Sequence, residues 1–152
     1  MGDKFIRLLL RMRKMFGLKK LSYLWLKLIG VELPLSVQIG SGLVLAHWAN
    51  GLVVHNSTVI GADVIIYQGV TIGRSDPHKH RHRKIKIVIQ NGAILCAGAK
   101  ILCTDDMLVA GGNSVIGANS VLLNSTGKNE IWGGIPARKL SHRDSANQVG
   151  LS

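Results

Sequence analysis

Hydrophobic and polar positions follow two different rhythms along this chain. Over residues 3 to 29 the period is helical: Phe5, Ile6, Leu8, Leu9, Met12, Met15 and Phe16 fall on one side, and Lys4, Arg7, Arg11 and Lys14 on the other. Leu, Met, Lys and Arg favour a helix there, with Gly17 as a break and Gly30 as a stop. After residue 36 the period becomes six. Val54, Ile60, Ile66 and Ile72 recur at that spacing, the beat resumes at Ile89, Leu95 and Ile101, and it returns at Ala110, Ile116 and Leu122. The fifth place of these hexads is small or β-branched: Thr58, Val64, Val70, Ala93, Ala99, Ser114 and Ser120. One large and one small inward residue per hexad, with Gly, Asn and Asp gathered at the turns, predicts a mainly β chain wound as a parallel β-helix.

Two stretches interrupt the beat. Residues 73 to 88 form an excursion that contains "SDPHKHRHRK", and "CTDDM" at 103 to 107 is a smaller one. The expected organisation is therefore a basic amphipathic helical segment at 1–30, a β-helix at 31–140 and a loose polar tail at 141–152.

Composition narrows the class. A 152-residue chain with 47% hydrophobic residues supports one folded domain and excludes a disordered one. Few aromatics and 18 glycines suit a thin, repetitive core. Cys96 and Cys103 fit no disulfide framework or metal knuckle, so a reducing cytoplasm is the expected compartment. The net charge of +11 calls for an anionic partner, whether nucleic acid, acidic lipid or a phosphorylated ligand. No secretory signal is evident, and no apolar run approaches the roughly 20 residues of a membrane span. The first helix has two readings: packing on its own domain or a sister subunit, or lying on the surface of an anionic inner membrane.

The stretch "IGSGLVLAHWANGLVVHNSTVIGADVIIYQGVTIG" (39–73), with "GAILCAGAKIL" (92–102), "VIGANSVLL" (115–123) and "GGIPARKL" (133–140), resembles the hexapeptide-repeat acyltransferases of the serine acetyltransferase-like branch. The resemblance covers about residues 31 to 140. It implies a left-handed β-helix with three hexads per coil, a homotrimer with active sites between subunits, and acetyl-CoA lying along a groove between coils. It assigns cofactor contacts to Gly73, Ala97 and Ala118, and contacts with the nucleotide phosphates to Arg138 and Lys139. No metal is required.

Acetyl transfer to a hydroxyl needs a base near neutral pKa, a donor for the oxyanion, and a group that fixes the base's tautomer. His47 matches the family's catalytic histidine, and Glu32, fifteen residues upstream, stands where the orienting carboxylate belongs, one methylene longer than the usual Asp. Direct transfer follows, with no acyl-enzyme on Cys96. In the related family the excursion carries an Arg-His pair that holds the acceptor. Arg81 and His82 are the nearest match, with His78 or His80 as alternatives.

Two departures bear on the acceptor. Ala46 stands where serine acetyltransferases carry an Asp that meets the substrate ammonium, and only about 30 residues precede the coils. On these grounds the expected acceptor is a sugar hydroxyl, free or lipid-linked, in capsule, O-antigen or exopolysaccharide biosynthesis. A truncated serine acetyltransferase is the alternative. A γ-type carbonic anhydrase would need a histidine spacing unlike H-x-H-x-H. A non-enzymatic nucleic-acid module would need exposed aromatics that this chain lacks, so no nucleic-acid partner is expected.

Overall fold

The computed structural model describes residues 2–76, 78–79 and 82–143. Two helices come first, α1 (Gly2–Met12) and α2 (Lys19–Leu28). Twelve strands then wind through four coils of a left-handed parallel β-helix, and a hairpin closes the last coil. The first coil holds β1 (Gln38–Ile39), β2 (Val44–Leu45) and β3 (Val53–Val54). The second holds β4 (Thr58–Ile60), β5 (Ile65–Ile66) and β6 (Thr71–Arg74). The third holds β7 (Lys86–Ile89), β8 (Ile94–Leu95) and β9 (Lys100–Cys103). The fourth holds β10 (Met107–Ala110), β11 (Val115–Ile116) and β12 (Val121–Leu122). The hairpin is β13 (Glu130–Gly134) and β14 (Ala137–His142).

The hexad beat becomes three vertical stacks. Ile39, Ile60, Ile89 and Ala110 pair down one sheet. Leu45, Ile66, Leu95 and Ile116 pair down the second, and Val54, Ile72, Ile101 and Leu122 down the third. The expected small positions, from Thr58 to Ser120, are all buried beside them. Each large aliphatic removed from water contributes roughly 1.5–3 kcal/mol, so the stack is the main source of stability. The turns stack as tightly. Gly98 has φ +70°, and a Cβ there would lie 2.1 Å from Asn119 Oδ1 of the next coil, so no side chain fits. The antiparallel β13–β14 pair ends the second stack.

The helical segment differs from its expected form. The first helix stops at Met12, and five residues later Gly17 takes φ +86° before α2 begins at Lys19. The expected apolar side is only partly buried. Ile6 and Leu9 are covered, but Leu8 and Met15 are half exposed and Phe16 is fully exposed. Arg13 takes part of the covered side instead. Its buried guanidinium occupies the seam to the β-helix, donating to the carbonyl of Leu33 at 3.0 Å, to that of Val37 at 3.2 Å and also to that of Pro34. Ser22 Oγ joins the helices by donating to the Leu9 carbonyl at 2.7 Å.

Candidate active site

Leu45 and Val54 hold equivalent positions in adjoining sheets, yet they are nine residues apart rather than six. The three additional residues are accommodated in the turn Ala46–Ala49, which carries His47. This turn is left-handed: φ is 50° at His47, 62° at Trp48 and 47° at Ala49. Three consecutive non-glycine residues in that region cost about 1–2 kcal/mol each. Such strain persists only where the surroundings hold it, and it concentrates at functional sites. Here Ala49 is fully buried and its carbonyl accepts from Leu52 N at 2.9 Å. Asn50 Nδ2 donates to the Ile29 carbonyl at 2.9 Å. Trp48 lies against Phe5 of α1, ring centroids 6.0 Å apart, and Phe5 meets Trp25 of α2 edge-on at 6.3 Å. The helical segment thus props the turn.

The ring of His47 is exposed in the single chain, with Tyr67 of the next coil beside it at 5.9 Å between centroids. Above Tyr67 the same corner continues through Cys96 and Gly117, linked by Tyr67 N to Leu95 O at 3.0 Å and Cys96 N to Ile116 O at 2.9 Å. Ala97 and Ala118 follow on successive coils, with Asn119 N donating to the Ala97 carbonyl at 2.9 Å. His47 therefore stands at the foot of a corner lined by small residues. Gln68 lies in that corner too, and its buried Oε1 has no hydrogen-bond partner. Tyr67 and Gln68 were not singled out from the sequence. The signal for them was available in the hexad register, because Leu45 pairs with Ile66 and so sets Tyr67 level with the start of the His47 turn.

Burial pushes the Cys96 thiol up from its usual range, which leaves a neutral thiol rather than a nucleophilic thiolate at neutral pH. Glu32 is exposed and bridges Val53 through its backbone, Glu32 N donating to Leu52 O at 2.8 Å. Among the described residues, no hydrogen bond joins its carboxylate to His47. Gly73 lies in β6 opposite Leu102, and among the described residues a Cβ there would meet nothing within 4 Å. Packing within the chain does not require a glycine at that position, which leaves the close approach of something outside the chain as a reason for it.

The excursion leaves beside His55, which was not singled out from the sequence. Ser57 N donates to His55 Nδ1 at 3.2 Å, so Nδ1 is an acceptor and the proton sits on Nε2. Burial, and then the Arg74 charge, lower the His55 pKa and favour this neutral form. The two interruptions of the beat pack on each other: Arg83 Nε pairs with Asp106 at 3.1 Å and Ser75 Oγ meets Thr104 Oγ1 at 3.1 Å. His78 and His82 are exposed, while His80 and Arg81 lie outside the described residues. Among the described residues, no three His, Cys, Asp or Glu side chains converge on a metal position.

Arg138 and Lys139 alternate along β14 and so face opposite ways. Lys139 Nζ is bound to Glu130 Oε1 at 2.8 Å. Glu130 also accepts from Trp132 Nε1 at 2.9 Å and Gly127 N at 2.6 Å. These donors, Lys139 foremost, pull the Glu130 carboxyl down to about 2. The Lys139 charge is therefore already engaged within the hairpin, while among the described residues Arg138 reaches the Ala137 carbonyl, at 3.2 Å.

No family model matches the chain. It is 38% identical over 117 residues to the serine acetyltransferase of Haemophilus influenzae, covering 76% of this chain and 41% of that protein. In fold it is similar to a serine acetyltransferase solved as a complex with CoA, at a TM-score of 0.64 and 31% identity over 82% of this chain and 49% of the other. The serine acetyltransferase of Neisseria gonorrhoeae solved with serine gives a TM-score of 0.66 at 29% identity, over 82% of this chain and 50% of that one. The chain thus spans half or less of the length of these proteins, and its β-helix is of the serine acetyltransferase type of hexapeptide-repeat fold. These likenesses overturn the expectation of a sugar acceptor in surface-polysaccharide biosynthesis. That expectation rested on Ala46 and on where the chain begins. One missing side-chain contact and a starting point weigh less than 38% identity over 117 residues.

Proposed function

We propose that this chain is the catalytic β-helix of an acetyl-CoA-dependent O-acetyltransferase acting on serine, with His47 as the general base. The observation that carries the reading is His47 itself. It stands on a strained, externally propped turn, at the foot of a small-residue corner, within the stretch similar to serine acetyltransferases. In this reading His47 takes the hydroxyl proton as the serine oxygen attacks the acetyl thioester. The proton then passes to the departing thiolate, so no net proton is gained or lost by the enzyme. Glu32 would orient the imidazole and stabilise its charged form once substrate brings the two together. The corner through Ala97 and Ala118, with the open face of Gly73, provides room for the pantetheine arm, and Arg138 offers a cation for its phosphates. A homotrimer would set the 73–88 excursion of one subunit, with His82 or His78, beside the His47 of another.

The test is release of CoA from acetyl-CoA by the purified chain in the presence of serine, with O-acetylserine identified by mass. Serine-dependent release that disappears in His47→Ala supports the reading. Absence of O-acetylserine at saturating acetyl-CoA and serine overturns it.

A further inference from the structure

A cavity of about 580 Å³ lies between α1, the start of α2 and the first coil, within the size range of small-ligand sites. Its two walls differ in chemistry. The helical wall presents Arg7 and Arg11, four residues apart on one face of α1, with Lys14 in the turn that follows and Lys19 at the start of α2. Leu10, Leu35, Ile39 and Val44 supply apolar surface. No lining residue is acidic. Among the described residues, none of the four cations takes part in an ion pair. Arg13, at the back, is buried and directed at backbone carbonyls, so it adds a fixed positive charge with no carboxylate to cancel it.

Four exposed cations with no ion-pair partner among the described residues line one cavity, and their charges add at its mouth to attract an anion. Two guanidiniums offer forks of donors that match a group with several charged oxygens, and two ammoniums add charge without directional demand. A single carboxylate would leave most of this unused. The apolar wall requires that the anion be carried on a partly apolar body. We propose that this cavity binds an organic phosphate, its phosphate held by Arg7, Arg11, Lys14 and Lys19 and its apolar part laid on Leu10, Leu35 and Val44. The site is separate from the corner proposed for acetyl-CoA, since Ala97 and Ala118 belong to the third and fourth coils and the cavity opens on the first. It does not depend on the acetyltransferase reading.

A soluble metabolite and a phospholipid headgroup share this chemistry, and two probes separate them. Phenyl phosphate is titrated calorimetrically into the full chain, and vesicles containing phosphatidylglycerol are tested by co-sedimentation against vesicles of phosphatidylcholine alone. The variant Arg7→Gln/Lys14→Gln is compared with Lys86→Gln/Lys128→Gln, which removes the same charge from exposed positions outside the cavity. Binding of either probe, weakened at least tenfold in the cavity variant and about twofold or less in the other, supports the proposal. Phenyl phosphate binding points to the soluble source, and vesicle binding alone to the lipid. The proposal is overturned if neither probe binds, or if both variants lose affinity equally, since the attraction would then come from net charge. Should the double variant fail to fold by circular dichroism, Arg11→Gln against Lys86→Gln reads the same contrast.

Discussion

The left-handed turn at His47 makes a prediction whose sign is unusual. In an ordinary strand or helix, glycine is less stable than alanine by about 0.5–1 kcal/mol, because it loses more backbone freedom on folding. At φ 50° and ψ 39° the balance reverses, since any residue with a Cβ bears roughly 1–2 kcal/mol of strain that glycine escapes. Both His47→Ala and His47→Gly remove the imidazole and its contact with Tyr67, so their difference isolates the backbone. Subtracting the two effects leaves His47→Gly more stable than His47→Ala by roughly 0.5–1 kcal/mol, or about 1–4 °C in Tm for a chain of this size. The control pair is Met107→Ala and Met107→Gly, at an exposed strand position, where alanine should be the more stable. Thermal unfolding followed by circular dichroism measures all four. If His47→Ala matches or exceeds His47→Gly, the turn is not strained as described. Under the proposed function both His47 variants also lose about 10²–10⁴-fold in kcat. A His47→Gly protein that is stabler than the alanine variant yet inactive would mean that the strain is retained for chemistry, whereas one with wild-type turnover would remove His47 from the mechanism.

Ala46 offers no charge to an acceptor's ammonium, so Ala46→Asp should raise kcat/KM for serine by about 10–100-fold; an unchanged or lower value would show that the ammonium is met elsewhere. Gly73→Ala adds a Cβ that meets nothing within the chain, so Tm should hold or rise slightly while KM for acetyl-CoA rises about tenfold; an unchanged KM would exclude Gly73 from the cofactor's path. Glu130 has a folded pKa of about 2, below its ordinary value of 4.5, so the stability it contributes is complete above pH 4.5 and is lost as the pH falls from there through about 2. Glu130→Gln should lower Tm at pH 7 and close the gap to wild type across that window; a gap that persists at pH 2 would mean that the carboxylate is not what holds the hairpin.

What the sequence made legible depends on whether the determining interaction is periodic. The coils are legible because each large aliphatic meets its counterpart a fixed distance along the chain, so Ile66, Leu95 and Ile116 announce their stack without coordinates. The His47 turn is half legible: nine residues from Leu45 to Val54 mark an insertion, but nothing in "AHWAN" states that three successive residues turn left-handed, since that conformation is held from outside the local run, by Phe5 against Trp48 and by the Ile29 carbonyl that Asn50 reaches. The same reason limits the helical segment. Its period is plain, yet the covered side includes Arg13, which reaches three carbonyls 20 to 24 residues away, while Leu8, Met15 and Phe16 stay at the surface. Lys139 reads as a free cation in "PARKL" and is paired, because the β13–β14 register sets it opposite Trp132 and within reach of Glu130. Position 46 is the least legible for a related cause. One absent contact, even together with a short segment before the coils, does not amount to a change of acceptor, because affinity for an acceptor is set by a whole site. Ala46 is better treated as a weakened contact with serine than as evidence of a sugar, and the Ala46→Asp measurement is the one that separates those two meanings.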